Sequence, residues 1–452
     1  MTPLHIFLLL SLLSITTSTP HTITLPLSPL STNHPSHTLK LAATTSLTRA
    51  RHLKKTHHHS LLKTPLHPKS YGGYSINLNF GTPPQTFPFL LDTGSTLLWL
   101  PCSSHYLCSK CSSFRNTPKP FIPKNSSSSK LLGCSNPRCA WLFGPNVKSH
   151  CCKHNAVNCS QTCPPYTIQY GLGSTAGFLL SENLNFPEKI VNDFLLGCSV
   201  VSVYQPTGIA GFGRGPESLP SQMNLTRFSY CLLSHKFDDS PSTSSNLVLE
   251  TTSQGRTKTN GVTYTPFTKN INTNRNPAFG AYYYVTLRRI VVGGKRVRVP
   301  KRLLEVDANG DGGLIVDSGS TFTFMERPIY DLVAQEFRRQ VNYTRAREVE
   351  ARSGLGPCFV APGGGTTSFP EMSFEFRGGA KMRLPVANYF SLVGEESDVA
   401  CLTVVSDDVA GPGVAAGPAL ILGNYQQQNF YVEYDLENER FGFRRQSCKT
   451  SV

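Results

Sequence analysis

No aspartate or glutamate precedes Asp92; all 28 acidic residues of the 452-residue chain lie at or beyond it. Residues 20–70 therefore carry Lys40, Arg49, Arg51, Lys54, Lys55, Lys63 and Lys69 without a single acidic residue. Such a basic, weakly patterned segment reads as a flexible tail. No apolar run approaches the roughly 20 residues that span a bilayer, which excludes a membrane-crossing helix. The ten-residue window Ile6 to Ile15, with only Ser11 and Ser14 polar, reads instead as a signal peptide over residues 1–19. It lacks the usual Lys or Arg before the apolar window. The four residues after Cys448 form no apolar lipid-anchor tail, so a soluble exported chain is expected. Neither Gly-x-Ser-x-Gly nor His-Glu-x-x-His occurs, which argues against serine and zinc hydrolases. Gly211-x-Gly213-x-Gly215 lacks the spacing of a dinucleotide loop, and no cofactor is implied.

What the sequence does contain agrees with export. Fourteen cysteines are present, nine of them between Cys102 and Cys163. Cys108-x2-Cys111, with Cys139 and His150 nearby, has zinc-ligand spacing, but an oxidising compartment favours disulfides. Sequons stand at Asn125, Asn158, Asn224 and Asn342. Asp307-Ala-Asn309-Gly-Asp311-Gly312 opens like a calcium loop, yet Ser318 occupies the position that needs a bidentate Glu. A hairpin turn is expected there, and no metal.

A hydrophobic fraction of 39% is ordinary for a globular chain. From Tyr71 onward, short alternating runs such as Tyr74–Phe80 and Phe430–Tyr434 are punctuated by Gly, Pro and Asn. Only Arg327 to Gln340, with Pro328 near its start, reads clearly as a helix. A mostly β architecture follows, and the residues beyond 70 exceed what one core supports. Two lobes are expected, 71–250 and 251–452, with their junction in the Ser/Thr/Asn-rich stretch from Asp238 to Asn276. Residues 71–452 carry 36 Lys and Arg against 28 Asp and Glu, about +8, dispersed along the sequence. The dispersion of these charges in an exported chain argues against nucleic acid; the charge reads first as a basic surface without a partner, and second as attraction to an anionic cell-wall polysaccharide.

One signature occurs twice: Phe89-Leu90-Leu91-Asp92-Thr93-Gly94-Ser95-Thr96 and Leu314-Ile315-Val316-Asp317-Ser318-Gly319-Ser320-Thr321. Each reads as a buried strand ending in a carboxylate at a glycine-permitted turn. Two such lobes would bring Asp92 and Asp317 together at one cleft. Carboxylates held close share a proton, so one can take a proton from water while the other polarises a carbonyl.

In these features the chain resembles the pepsin-like aspartic proteases, the plant nepenthesin-type branch above all. The likeness runs from about Tyr71 to Cys448. Trp99 lies seven residues after Asp92, and Tyr170-Gly171-Leu172-Gly173-Ser174 looks like the flap hairpin. Gly208–Gly213 with Ser218–Gln222, and Ile421–Asn429, match the segments that cross behind the two active-site loops. The resemblance implies a bilobal acid protease, a monomer without cofactor, acting on protein or peptide substrates in the apoplast, cell wall or vacuole. Asp92 and Asp317 would be catalytic. Thr93 and Ser318 would brace the two loops, Gly94 and Gly319 would shape them, and Ser95 and Ser320 would bond the outer carboxylate oxygens. Tyr170 and Gly171 would close over substrate, with Trp99 supporting the Tyr170 hydroxyl. Leu172 departs from the small polar or acidic residue usual at that position. No saposin-like insertion fits the second lobe.

Residues 20–70 would then be a propeptide whose positive charge lies over the acidic cleft. Its histidines, His57, His58 and His59 among them, would charge on acidification. The cysteine-rich insertion, about 102–163, implies the pairs Cys102–Cys108, Cys111–Cys198, Cys134–Cys163, Cys139–Cys159, Cys231–Cys448 and Cys358–Cys401. Cys151 and Cys152 are outside that pattern. A relative with a damaged dyad would be an inhibitor or binding protein of the cell wall rather than a protease.

Overall fold

A computed structural model describes residues 22–29, 39, 42–47, 49, 72–111, 119–151, 161–171, 173–187, 189–205, 207–234, 244–251, 258–269, 277–361, 368–393, 398–407 and 417–448. The signal-peptide window, the histidine run, Leu172, Asn158, Cys152 and Cys159 lie outside these residues.

The architecture is mostly β and bilobal, because the same wiring is built twice. In the first lobe the strand Gln85–Asp92 runs parallel to Gly208–Gly211, with Leu91 opposite Ala210 and Asp92 opposite Gly211. Gly208–Gly211 pairs on its other side antiparallel to the strand Trp99–Pro101. In the second lobe Leu314–Val316 runs parallel to Leu420–Leu422, which pairs antiparallel to Thr323–Met325. Parallel strands flanked on both faces must be apolar throughout. Leu314, Ile315, Val316, Leu420, Ile421 and Leu422 are accordingly all buried. Each apolar run thus ends with its aspartate at the end of an interior strand, Asp92 after the buried Leu91 and Asp317 after the buried Val316.

The lobes are joined by strands from both halves of the sequence. Phe430–Asp435 and Arg440–Arg445 from the second half pair with each other, and Phe430–Asp435 pairs with Arg227–Cys231 from the first. Arg227 lies buried at this junction, with Nε 3.5 Å from Glu433 and Nη2 3.5 Å from Asp435. Tyr264 and Thr259 donate hydroxyl hydrogen bonds to Glu433, each at 2.7 Å. The expected helix is present at Arg327–Gln340, packing Ile329, Val333, Ala334 and Phe337 into the core. The Leu247-Val248-Leu249 run lies within the strand Ser245–Glu250. Asp307 Oδ1 accepts backbone N–H bonds from Asn309 and Asp311, and Val306 bridges Gly312, closing that loop as a turn. Among the described residues no helix is long and apolar enough to cross a membrane.

The basic N-terminal segment is not simply a tail. Thr22–Pro29 is a strand inserted into the central sheet, antiparallel to Ser245–Glu250 and, through Ser28 and Pro29, to Tyr74–Phe80. Residues 42–47 and 49 are helical. Leu39, Ala42 and Ala43 are buried against the second lobe, in a cluster with Phe279, Tyr282, Phe322, Leu355 and Tyr425. These few apolar residues pack well although their sequence shows no clear periodicity, which is why a flexible tail was the natural expectation.

Four of the implied disulfides are corrected. The bonds are Cys102–Cys198, Cys108–Cys111, Cys134–Cys151 and Cys139–Cys163, in place of Cys102–Cys108, Cys111–Cys198, Cys134–Cys163 and Cys139–Cys159. Strand register decides the first pair. Leu100 stands opposite Cys198 in parallel strands, and Cys102 N–H donates to Ser199 O, leaving the Cα atoms of Cys102 and Cys198 5.0 Å apart. Cys108 and Cys111 then close on each other across a turn in which Lys110 has φ 59°. Cys151 engages Cys134, and Cys139 takes Cys163 with a Cα separation of 5.8 Å. Cys358–Cys401 and Cys231–Cys448 are as implied.

Cys231–Cys448 closes a sequence separation of 217 residues and ties the C-terminal end to the close of the first half. Replacing both cysteines with serine should lower stability by about 5 kcal/mol on the chain-entropy estimate. Chemical denaturation measures this. Labelling of Cys448 by a thiol reagent in the native, unreduced protein would contradict the bond.

Candidate active site

Asp92 and Asp317 leave their strands at the same height and face each other across matching loops. Thr93 Oγ donates to Val316 O at 3.1 Å and accepts from Ser318 N–H at 2.9 Å. Ser318 Oγ donates to Leu91 O at 2.9 Å and accepts from Thr93 N–H at 3.1 Å. These reciprocal bonds lock one loop to the other through two buried hydroxyls.

Each carboxylate then meets the same pair of donors. Asp92 accepts from Gly94 N–H at 2.9 Å and from Ser95 Oγ at 2.5 Å. Asp317 accepts from Gly319 N–H at 2.9 Å and from Ser320 Oγ at 2.7 Å. The glycines are required by the close approach. A Cβ on Gly319 would stand 2.3 Å from Asp92 Oδ1, and one on Gly94 would stand 2.7 Å from Asp317 Oδ1. Asn424 fastens the second loop from behind, donating to Ser318 O at 3.0 Å and Gly72 O at 2.8 Å.

Across the cleft Trp99 Nε1 donates to the Tyr170 hydroxyl at 2.6 Å. Both side chains are buried, and burial, followed by the nearby Asp92, raises the Tyr170 pKa well above that of a free phenol. Tyr170 therefore stays neutral throughout the acid and neutral range. Thr96 Oγ donates to the buried Glu217, whose carboxyl is pushed upward by burial and partly held down by that bond.

The cleft is occupied by Arg49. Its Nη2 lies 2.9 Å from both oxygens of Asp92, and its Nε lies 3.4 Å from Asp317 Oδ2. Its side chain is only 7% exposed, between carboxylates at 1% and 0%. Burial lowers the guanidinium pKa, but Asp92 and then Asp317 outweigh that and raise it, so the cation is permanent. Its Cζ sits 5.8 Å from the Tyr170 ring centroid. A Cβ on Gly171 would fall 2.0 Å from Arg49 Cα, so only glycine fits between this hairpin and the N-terminal segment. Ser46 Oγ accepts from Phe322 N–H at 2.7 Å and anchors the same segment on the second lobe.

Burial is the largest influence on Asp92 and raises its carboxyl; Arg49 lowers it, Asp317 raises it, and the outcome is about 6. Arg49 stands among seven basic residues of its segment with no local sequence signal. Only its placement 268 residues from Asp317 in sequence, yet in contact with it, marks it.

Comparison with known proteins agrees with this geometry. A family model described as the xylanase inhibitor N-terminal domain matches residues 74–249, and its C-terminal counterpart matches residues 282–445. A probable aspartyl protease of Arabidopsis thaliana is 34% identical over 420 residues, covering 83% of this chain and 82% of the relative. The chain belongs to the plant pepsin-like aspartic protease family. Within the family, aspartic proteinase nepenthesin-2 of Nepenthes gracilis is 34% identical over 397 residues, covering 86% of this chain and 81% of its own. Among solved structures, that of edgp superposes with a TM-score of 0.63 at 19% identity, covering 94% of this chain and 95% of its own. Basic 7S globulin from soybean follows at 0.60 and 16%, covering 95% and 98%. At these identities the solved structures speak for the shared fold alone.

Asn125, Asn224 and Asn342 of the predicted sequons are all exposed.

Proposed function

We propose that the protein is an exported acid endopeptidase in which Asp92 and Asp317 share one proton and activate water. The observation that carries this reading is the pair of buried carboxylates, held by equivalent donors and converging on a single cation. With Arg49 withdrawn, a water held between the carboxylates attacks the scissile carbonyl carbon. The ionised carboxylate takes the water's proton, and the protonated one gives its proton to the carbonyl oxygen. The tetrahedral intermediate then breaks its C–N bond as one carboxyl gives its proton to the leaving amine and a hydroxyl of the intermediate returns its proton to the other carboxylate, which leaves the acid product and restores the shared proton. Thr93 and Ser318 hold the spacing, and Tyr170 with Trp99 closes the opposite side.

The same reading makes residues 20–70 an inhibitory prosegment. Arg49 occupies the place between the carboxylates where the attacking water would sit, and the paired strand Thr22–Pro29 and the helical residues packed on the second lobe hold it there. The connector near Lys69 to Tyr71 is where cutting would release the 71–452 domain. The prosegment histidines add repulsion as they charge on acidification, an effect that replacing His57, His58 and His59 with Gln would isolate.

The test is incubation of the acid-treated protein with a mixed peptide pool, with and without pepstatin. Cleavage at about pH 4 that pepstatin suppresses is expected. The xylanase-inhibitor description of the family models favours a second reading, a binding protein that has kept the fold. Absence of cleavage by a folded chain freed of its prosegment would favour that reading.

A further inference from the structure

Basic residues gather around the hairpin at one edge of a sheet in the second lobe. Between Leu287 and Arg302 the chain carries Arg288, Arg289, Lys295, Arg296, Arg298, Lys301 and Arg302, and no acidic residue. All seven are exposed. The strands Leu287–Val292 and Lys295–Arg296 form a hairpin, and the short helix Lys301–Leu304 follows it.

Few carboxylates answer this charge. Arg288 and Lys301 share Glu305, Arg289 shares Glu375 with Lys381, and Lys295 shares Glu336 with Arg339. Six cations thus share three carboxylates, and with Arg296, Arg298 and Arg302 the local excess is six, where residues 71–452 total about eight. Arg296, Arg298 and Arg302 have no ion-pair partner among the described residues. Arg296 and Arg298 are exposed on either side of Val297, which is buried together with Val299.

We propose that this face docks a linear acidic polysaccharide whose uronate carboxylates engage Arg296, Arg298 and Arg302. A guanidinium presents a planar fork that matches a carboxylate, and three unpaired forks along one edge suit a chain of repeated carboxylates. The apolar side chains of the segment, Val297, Val299, Leu303 and Leu304, are buried and leave no wedge for a lipid surface. The neighbouring rings Phe337, Phe374 and Phe376 are buried too, so the face offers no platform for stacking bases. The four-stranded sheet that contains the hairpin is separate from the sheet that carries Asp317. Docking here is independent of the dyad and would leave the cleft free.

The experiment measures binding of the full chain to sodium polygalacturonate, at low salt and at roughly tenfold more salt. Binding should weaken with salt and disappear for fully methyl-esterified polygalacturonate. The variant Arg296→Ser/Arg298→Ser/Arg302→Ser should bind about tenfold more weakly, from three exposed pairs of modest strength. Its unfolding temperature should be unchanged. The variant Lys124→Ser/Arg347→Ser/Arg352→Ser, which removes equal charge elsewhere, should bind as wild type. Equal loss in both variants, no loss in the first, or no binding at low salt would overturn the proposal. Tighter binding to duplex DNA or to phosphatidylserine vesicles would overturn the ligand class.

Discussion

Asp317→Asn should reduce peptide hydrolysis at acid pH by roughly 10²–10⁴-fold, and Asp92→Asn should do the same. Either change removes one of the two proton-sharing groups while leaving its neighbours in place. The amide oxygen can still accept from Gly319 N–H in one case and from Gly94 N–H in the other, while the amide NH2, in place of the second oxygen, can donate to the Ser320 or Ser95 hydroxyl. The loop bracing by Thr93 and Ser318 does not involve the substituted atoms. The fold should therefore persist, as thermal unfolding and circular dichroism would record. Wild-type rates in either variant would remove the dyad from the reaction.

Arg49→Ala should loosen the N-terminal segment from the cleft by about 3–5 kcal/mol, roughly 10²–10⁴-fold in the docking equilibrium. The loss is large because two buried carboxylates are left without their cation. Arg49→Lys keeps the charge but loses the fork and should fall between wild type and Ala. The pH dependence has a definite direction. Arg49 holds the Asp92 carboxyl lower than burial alone would, so docking is coupled to ionised Asp92. Docking is strongest above the pKa that Asp92 has without Arg49. It weakens as pH falls through about 6, where Asp92 gains its proton even with Arg49 present. The measurement is the rate of prosegment release against pH. The Ala variant should release at neutral pH, and a release rate unchanged from wild type would refute the capping role.

The dyad was legible because its signature is local and repeated. An apolar run, an aspartate, a small hydroxyl residue and glycine suffice to place a carboxylate at a strand end, and two copies imply a shared cleft. Arg327–Gln340 was legible for a similar reason, since one helical face is apolar over several turns. Arg49 was not, because nothing within its own segment distinguishes it from Arg51 or Lys54. Its role depends on the burial of Leu39, Ala42 and Ala43 against a wall of the second lobe far away in sequence. The insertion's disulfides were illegible for a related reason. Whether Cys102 meets Cys108 or Cys198 is fixed by how Trp99–Pro101 aligns with Lys189–Val203, and cysteine spacing does not encode that alignment. The basic cluster around the hairpin is not legible in the sequence, because its excess depends on which carboxylates lie near the hairpin in space.

The most direct test of the account is a shift of the full chain from pH 7 to pH 4, followed by peptide hydrolysis and N-terminal sequencing. Inertness at pH 7 is expected, then hydrolysis at pH 4 together with a new N-terminus beyond Arg49 and before Tyr74. Full hydrolysis at pH 7 by an uncut chain, or none at pH 4 from a folded and cut one, would contradict it.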